Sequence, residues 1–325
     1  MNHYKRSSLN HFTARTVDRA SNRRREAEWL ATRLEDETTR FIPVWGSDNL
    51  FDMDTDADTN QVPRPVFLLP HDVRDLIHTA ESVILLGVNG NSTYFAIGLS
   101  SEGDSPPADF AGLGRFRNLR QVALLLDEHD CALLAYAKAM VYWHHRHRFC
   151  GDCGSPTTSV EGGFLRVCIN KQCGQQHFPR TDPAIIVLVT SGDRCLLGRK
   201  PSWSEGLYST VAGFVEPGES LEAAVVREVR EETGVRVEEM TYFSSQPWPF
   251  PSSLMLGFTA QAAGEAIRVD QDELENARWF TREEMRDMLR QGTLQLPFKL
   301  AISYHLIENW FDAGELGPLK DIIST

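Results

Sequence analysis

The spacing of hydrophobic and polar positions changes along the chain. Between residues 38 and 100, short apolar runs alternate with turn residues such as Asn89, Gly90 and Asn91, a pattern typical of short strands joined by tight turns. The runs are Phe41–Trp45, Pro65–Leu69, Ser82–Val88 and Thr93–Leu99. This stretch predicts a small antiparallel β domain.

The next segment has the spacing of an α-helix. Apolar residues recur at helical spacing from Asp130 to Arg148, and the segment ends in a basic, histidine-rich turn. His144, His145 and His147 could bind a metal. The helix dipole favours cations at a helix C-terminus, so a structural role is the favoured interpretation.

The second half of the chain alternates strands and helices. An apolar strand at Ala184–Val189 precedes a turn, a second strand, a glycine-rich loop and an amphipathic helix from Ser220 to Thr233. Further strands at 240–244 and 254–262 and helices at Arg282–Arg290 and Phe298–Trp310 follow. We therefore predict three domains: residues 1–143, β-rich with helices; residues 144–180; and residues 181–325, an α/β domain.

Net charge narrows the choice of partners. The 325 residues carry 33 Lys and Arg against 45 Asp and Glu, a net charge of −12, so the chain as a whole does not attract nucleic acid or anionic membranes. DNA and membrane partners are not expected. No apolar run approaches the roughly 20 residues that span a bilayer, and the first residues lack an apolar signal segment. We expect a soluble, cytoplasmic protein.

Two charged segments have alternative interpretations. The first 25 residues hold seven basic residues against Asp18 alone; this could be an arginine-rich transit peptide, but the start of a solvated helix over Arg23–Leu34 is favoured. The acidic run Asp52–Asp58 resembles the start of a calcium-binding loop. It has Ala57 where glycine is required and Pro63 where glutamate is required, so we interpret it as a solvated loop.

Four of the six cysteines lie within 24 residues. They form two close pairs, Cys150 with Cys153 and Cys168 with Cys173, and such spacing lets each turn supply two thiolates to a tetrahedral Zn²⁺. Two alternatives remain for these cysteines: they could be reduced thiols that have lost the metal, or they could take part in redox chemistry. A closed four-sulfur shell has no position for water, so one structural zinc per chain is expected. Cys131 and Cys195 are expected to be buried.

The helix after the glycine-rich loop carries three acidic residues on one face. Glu228, Glu231 and Glu232 are related by i, i+3 and i+4. Carboxylates this close repel one another unless a cation lies between them, and oxygen ligands suit Mg²⁺ or Mn²⁺. A solvated face with Arg227 and Arg230 as counter-charges would be the simpler interpretation if the cluster stood alone.

The cluster lies within a longer motif. Residues 213–235 fill every fixed position of the Nudix box, Gly-x5-Glu-x7-Arg-Glu-U-x-Glu-Glu-x-Gly-U, where U is aliphatic. The chain therefore resembles the Nudix hydrolases, which cleave nucleoside diphosphates linked to another group.

Ten residues further on, the segment Ser245–Ser253 resembles the signature of NADH pyrophosphatases. From its residues alone, the alternating prolines indicate a stiff, extended backbone that displays Trp248 and Phe250. A pocket wall is favoured over a proline-rich ligand for a partner domain.

The resemblance implies a fold and an activity. The fold is α+β / α/β: a Nudix α/β/α sandwich in the C-terminal half, a zinc ribbon in the middle and a small β-rich N-terminal domain. The activity is hydrolysis of the NADH or NAD pyrophosphate to NMN(H) and AMP, with removal of NAD caps from the 5′ end of RNA also implied. A homodimer is implied as well. Cys-x4-Cys in the second pair and Phe178, where relatives often have tyrosine, are departures from the family pattern.

The resemblance also implies site residues. Glu228, Glu232, Glu273 and the Ala212 carbonyl would bind Mg²⁺ or Mn²⁺, and Glu231 would be the base or an outer-sphere group. Arg227 would pair with Glu219. The implied substrate contacts are Arg120, Phe178, Phe214, Gln246, Pro247, Trp248, Pro249, Phe250, Pro251, Ser252, Ser253 and Ser303, with Phe178 and Phe214 on either side of the nicotinamide.

Two other functions use the same box. Hydrolysis of ADP-ribose or another nucleotide sugar needs the box but not the Ser245–Ser253 segment. A ligand-sensing Nudix domain in a regulator usually loses box glutamates and gains a DNA-binding module. The intact box and the absence of a helix-turn-helix pattern favour the hydrolase.

Overall fold

The computed structural model describes residues 2–13, 17–52, 62–100, 105–107, 110 and 112–323. Its first elements are α1 (His3–Ser7), α2 (Ala27–Glu35), β1 (Arg40–Trp45), β2 (Asp48–Asp52), β3 (Arg64–Pro65), α3 (Leu76–Thr79), β4 (Ser82–Asn89), β5 (Ser92–Leu99), β6 (Arg115–Arg117), α4 (Leu119–Val122), α5 (Glu128–Arg146), β7 (Thr157–Val160), β8 (Leu165–Cys168) and β9 (Gln176–His177). They continue with β10 (Asp182–Ser191), β11 (Arg194–Arg199), β12 (Val211–Phe214), α6 (Leu221–Thr233), β13 (Val237–Trp248), β14 (Ser253–Ala262), β15 (Asn276–Phe280), α7 (Arg282–Arg290), α8 (Ile302–Asp312) and α9 (Leu319–Ile323).

These elements pack into two units. The C-terminal unit comprises Met1–Thr13, Asp182–Trp248 and Ser253–Thr325, and the N-terminal unit comprises Ala14–Thr181 and Pro249–Ser252. The three-domain division at residues 143 and 180 stays a prediction. Residues 53–61, most of the acidic run, lie outside the described residues.

The C-terminal unit is built on a mixed sheet of order β13-β14-β10-β11-β15, with β12 also paired to β10. Successive strand residues point to opposite faces. Ile186 and Leu188 of β10 therefore join one buried cluster with residues of α7, α8 and α9, whereas Ile185 and Val187 join another with α6. Helices cover both faces, which confirms the predicted α/β/α sandwich.

The N-terminal unit contains a second sheet of order β3-β2-β1-β5-β4, with β6 paired to β2. β1 runs parallel to β5, from Arg40 opposite Tyr94 to Trp45 opposite Leu99. The expectation of a purely antiparallel domain was therefore wrong. Alternating apolar residues specify which face is buried, but they do not specify the direction of the neighbouring strand.

The ribbon sheet β7-β8-β9 lies in the same unit. The 3₁₀ turn Glu161–Gly163 places Gly163 against β4, where an added β-carbon would lie 2.8 Å from Ile84 Cγ2. Glycine is required there, both for this close approach and for its φ of +91°. Among the described residues, no helix is long and apolar enough to cross a membrane.

Candidate active site and zinc ribbon

Local sequence fixes both ends of α6. The Ser220 hydroxyl accepts a hydrogen bond from the Ala223 N–H at 3.1 Å, and Gly234 ends the helix in the left-handed conformation, with φ of 71°. The apolar side of α6 packs on the sheet, which sets the rotation of the helix. Glu228 and Glu232 consequently lie on buried positions, whereas the Glu231 side chain is 57% exposed.

Three carboxylates converge at this point. Glu228, Glu232 and Glu273, which precedes β15, each offer an oxygen, and these oxygens all lie within 4.8 Å of one another. Glu232 Oε1 is buried and has no hydrogen-bond partner among the described residues. A buried carboxylate oxygen without a donor is costly unless a cation binds it. The cluster therefore fits a hard divalent cation.

The electrostatics of Glu232 agree with this geometry. Burial raises the pKa of Glu232 to about 8; the nearby carboxylates of Glu273 and Glu228 add to the shift, and Lys200 opposes it. A cation bound among the three carboxylates would favour the charged form and lower this pKa. Lys200, which directly follows β11, was not singled out from the sequence because it belongs to no recognised motif.

Arg227 ties the glycine-rich loop to the helix. Its guanidinium donates to both oxygens of Glu219, at 2.6 and 2.9 Å, as the family resemblance implied. It also donates to Glu228 at 2.8 Å, to Glu231 at 3.0 Å and to the Phe214 carbonyl at 2.8 Å. Hydrogen bonding to Arg227 lowers the pKa of Glu219 to about 2.

The signature segment is not extended throughout. β13 runs as an edge strand to Trp248, opposite Ser253 at the start of β14, and Pro249–Ser252 form the connecting turn. The expectation of a continuously extended backbone was therefore wrong after Trp248. An edge strand tolerates Pro247, because proline cannot donate a ladder hydrogen bond.

Within the C-terminal unit, Gln246 and Ser303 are buried. The Gln246 amide donates to the Leu300 carbonyl and accepts from the Ile302 N–H, both at 2.8 Å. Its side chain thus joins β13 to the start of α8, and a substrate contact from Gln246 or Ser303 stays a prediction. The Trp248 ring meets Phe12 edge-on, with centroids 5.8 Å apart.

Two cations lie near the Phe250 ring in the N-terminal unit. The guanidinium carbon of Arg120 is 5.5 Å from its ring centroid, and Lys138 Nζ is 5.3 Å from it. Lys138 is buried in α5 and donates to the Ser47 carbonyl. Burial lowers the pKa of Lys138 to about 8, against the effect of Asp48. Sequence reasoning missed Lys138; the available signal was its place as the one charged residue in the run Cys131–Trp143 of α5.

The two aromatic residues expected to stack on the nicotinamide are exposed. Phe214 ends β12 and is 59% exposed, and Phe178 follows β9 and is 56% exposed. Ala212 lies in β12 beside Gly213, opposite Ile186 of β10. Phe178 and Phe214 belong to different units, so their joint stacking on one ring stays a prediction.

The four ribbon cysteines form one cluster, with one sulfur from each lying within 4.8 Å of the others. Cys150 Sγ and Cys173 Sγ are 3.8 Å apart, and Cys153 Sγ and Cys168 Sγ are 3.4 Å apart. A tetrahedral Zn²⁺ with Zn–S bonds of about 2.3 Å requires sulfurs roughly 3.8 Å apart. The cysteines are not joined in disulfides, so the cluster fits zinc.

The histidines before the ribbon have structural contacts. His144 Nε2 lies 2.8 Å from the Gly163 carbonyl, and Arg166 donates to His144 Nδ1 at 2.9 Å. His147 Nδ1 lies 2.8 Å from the Trp143 carbonyl. Cys131 and Cys195 are buried, as predicted.

Three family models match successive parts of the chain. Residues 26–143 match the NADH pyrophosphatase-like rudimentary NUDIX domain, residues 145–178 the NADH pyrophosphatase zinc ribbon domain, and residues 180–298 the NUDIX domain. The fold and the matched domains are thus those of a Nudix hydrolase.

Comparison with similar proteins indicates which group of Nudix hydrolases the chain resembles. The NAD-capped RNA hydrolase NUDT12 of Macaca fascicularis is 35% identical over 93% of this chain and 73% of its own length. The NAD-capped RNA hydrolase NudC of Stutzerimonas stutzeri (strain A1501) is 46% identical over 67% of this chain and 74% of its own length. A solved NUDIX hydrolase from Nitrosomonas europaea covers 53% of this chain and 94% of its own, with 21% identity and a TM-score of 0.42. This chain belongs to the zinc-ribbon NADH pyrophosphatase family of Nudix hydrolases.

Proposed function

We propose that this protein hydrolyses the pyrophosphate of NADH and NAD to NMN(H) and AMP, and cleaves the same bond where NAD caps the 5′ end of an RNA. The observation that carries the proposal is the convergence of Glu228, Glu232 and Glu273 on one point. Relatives named NAD-capped RNA hydrolases, similar over about three quarters of their length, support the choice of substrate.

The cluster would hold Mg²⁺ or Mn²⁺ through Glu228, Glu232 and Glu273, with the Ala212 carbonyl beside them. Carboxylate and carbonyl oxygens are the ligands that both ions prefer. When bound, such an ion neutralises pyrophosphate charge and lowers the pKa of a bound water.

The remaining charged residues position the site and move protons. Glu231 is exposed beside the cluster, so it is our candidate to accept a proton from the attacking water. Arg227 donates hydrogen bonds to Glu228 and to the Phe214 carbonyl, and these bonds fix the loop that carries Phe214. Lys200 faces Glu232 closely enough to affect its pKa and would also attract the pyrophosphate.

Recognition of the dinucleotide would come from exposed aromatic rings. Phe214 and Phe178 present exposed faces on which a planar ring can stack. The turn Pro249–Ser252 presents Phe250 next to Arg120, which would bring a positive charge to an anionic substrate. We further propose that the ribbon binds one structural zinc and that the protein works as a cytoplasmic homodimer.

The test is a substrate comparison on the purified protein. NADH, NAD⁺, ADP-ribose and an NAD-capped RNA are offered separately with Mg²⁺ or Mn²⁺, and kcat/KM is measured for each with the products identified. We expect NMN(H) and AMP from the dinucleotides, and a 5′-monophosphate RNA from the capped substrate. Preference for ADP-ribose would indicate a nucleotide-sugar hydrolase. Binding of these ligands without turnover would indicate a ligand sensor.

A further inference from the structure

The first residues of the chain cover one edge of the C-terminal sheet. β13 is the outermost strand of that sheet, and residues 2–13, here called the N-terminal strap, pack along it within the same unit. An uncovered strand edge leaves backbone N–H and C=O groups without ladder partners. The strap supplies such partners, and it lies before residue 26, where the first family model begins.

Strap side chains bind the backbone of β13 where the signature segment begins. The Ser245 N–H donates to the Ser7 hydroxyl at 3.0 Å, and the Ser245 carbonyl accepts from the Asn10 amide at 2.8 Å. The Asn10 amide also donates to the Ser244 hydroxyl at 3.2 Å. Asn10 and Ser244 are both buried. Away from water these hydrogen bonds hold Ser245 in one orientation.

The strap also contacts two side chains of the signature segment. The Gln246 amide donates to the His11 carbonyl at 3.4 Å, in addition to its bond with the Leu300 carbonyl. The Trp248 ring meets the ring of Phe12, which is buried. Residues 245, 246 and 248 therefore all depend on the strap for their position.

Phe12 adopts an unfavourable backbone conformation at this contact. Its φ is 69°, in the left-handed region, which is disfavoured for any residue with a β-carbon and rare for a bulky one. Such conformations persist only where surrounding contacts hold them, and they concentrate at functional sites. Protection of a strand edge does not require an aromatic ring at this position, whereas contact with Trp248 does.

We propose that Asn10 and Phe12 are positioning residues for the dinucleotide: they hold Ser245, Gln246 and Trp248 in the orientation that receives the substrate. The inference rests on the proposed function, because it takes the signature segment as a wall of the substrate pocket. The catalytic carboxylates of α6 are carried by a helix with its own caps. The strap should therefore affect substrate binding more than the chemical step.

The first experiment separates substrate binding from stability. KM and kcat for NADH at saturating Mg²⁺ are measured for wild type, Asn10→Ala and Phe12→Ala, together with the Tm of each protein. Loss of a buried hydrogen bond or of an aromatic pair should raise KM by about 3- to 10-fold, with kcat close to wild type. Tyr4→Ala, in α1 and 76% exposed, is the matched control and should keep the wild-type KM.

KM distinguishes positioning from a purely structural role, because KM does not depend on the concentration of folded enzyme, whereas the apparent kcat does. A strap that only covers the sheet edge would lower Tm and apparent kcat in both variants and leave KM unchanged, which would overturn the proposal. Phe12→Leu keeps an apolar side chain at this buried position but removes the ring. It should be more stable than Phe12→Ala and should still raise KM.

Direct binding keeps the two proposals apart. The Kd of NADH is measured from nicotinamide fluorescence in a Glu232→Gln background, where turnover does not compete, and Asn10→Ala and Phe12→Ala should raise this Kd by the same factor as KM. If wild type binds NADH without hydrolysing it, the proposed function fails, while a rise in Kd still supports the strap. Hydrolysis with KM and Kd unchanged in both variants would refute the strap alone. A wild-type protein that neither binds nor hydrolyses NADH would refute both proposals.

Discussion

Gly213 lies so close to Glu228 that a β-carbon on Gly213 would be 1.9 Å from Glu228 Oε1. This contact explains why the loop before α6 has glycine at this position: any side chain would displace the carboxylate. Gly213→Ala should therefore lower kcat for NADH strongly while the sheet and helices still form. Steady-state kinetics and circular dichroism together measure this.

Gly264 provides the control for that substitution. An added β-carbon there would meet no heavy atom within 4 Å, and its φ is not in the left-handed region. Gly264→Ala should keep both rate and fold. Equal rates for Gly213→Ala and wild type would show that the position of Glu228 does not matter for turnover.

The ribbon cysteines predict metal content and stability. Elemental analysis should find about one zinc per chain, since four thiolates complete one tetrahedral shell. Cys150→Ser should lose the zinc and lower Tm, because metal binding contributes to folding. Cys131→Ala, a buried cysteine outside the cluster, should keep the zinc. Disulfides and no metal in freshly isolated protein would contradict this account.

Phe214 predicts a difference between substrates. Stacking on an aromatic ring contributes about 1–3 kcal/mol, so Phe214→Ala should lower kcat/KM for NADH by roughly 5- to 150-fold. ADP-ribose has no nicotinamide, and its kcat/KM should fall much less. An equal loss on both substrates would mean that Phe214 only supports the loop before α6.

His144 predicts a pH dependence of stability. Burial, with Arg166 and His147 contributing, lowers its pKa from 6.5 to about 4, against the hydrogen bond to Gly163. Between these values the unfolded chain binds the proton and the folded chain does not. The free energy of unfolding should therefore fall as the pH falls from about 6.5 to 4, by at most about 3 kcal/mol from this group.

Urea unfolding at several pH values, with zinc content checked at each, measures this effect. His144→Gln should be less stable at pH 7.5 but should lose less stability on acidification than wild type. The same pH dependence in both proteins would exclude His144 as its source.

Local signals predicted α6 well. Ser220 and Gly234 cap α6 through contacts within a few residues, so its bounds and its acidic face could be read from the sequence. The cysteine pairs and the Nudix box likewise depend on short spacings. These parts of the site required no knowledge of distant contacts.

Other features depend on contacts between residues far apart in the sequence, and these could not be predicted from local patterns. The predicted helix Phe298–Trp310 begins only at Ile302, because residues 298–301 form a turn and Gln246 of β13 accepts the Ile302 N–H. Spacing along the chain does not reveal a cap supplied by another strand. The predicted helix Arg23–Leu34 similarly begins at Ala27. Lys138 beside Phe250, and Glu273 beside Glu232, become neighbours only in the folded chain.

Glu232→Gln tests most directly whether the cluster of Glu228, Glu232 and Glu273 performs the hydrolysis. The measurement is kcat/KM for NADH at saturating Mg²⁺, with Glu222→Gln, an exposed residue of the same helix, as the control. Loss of a charged metal ligand should cut the rate by more than about 100-fold while the fold is kept. The control should stay close to wild type. A near wild-type rate for Glu232→Gln would contradict the account.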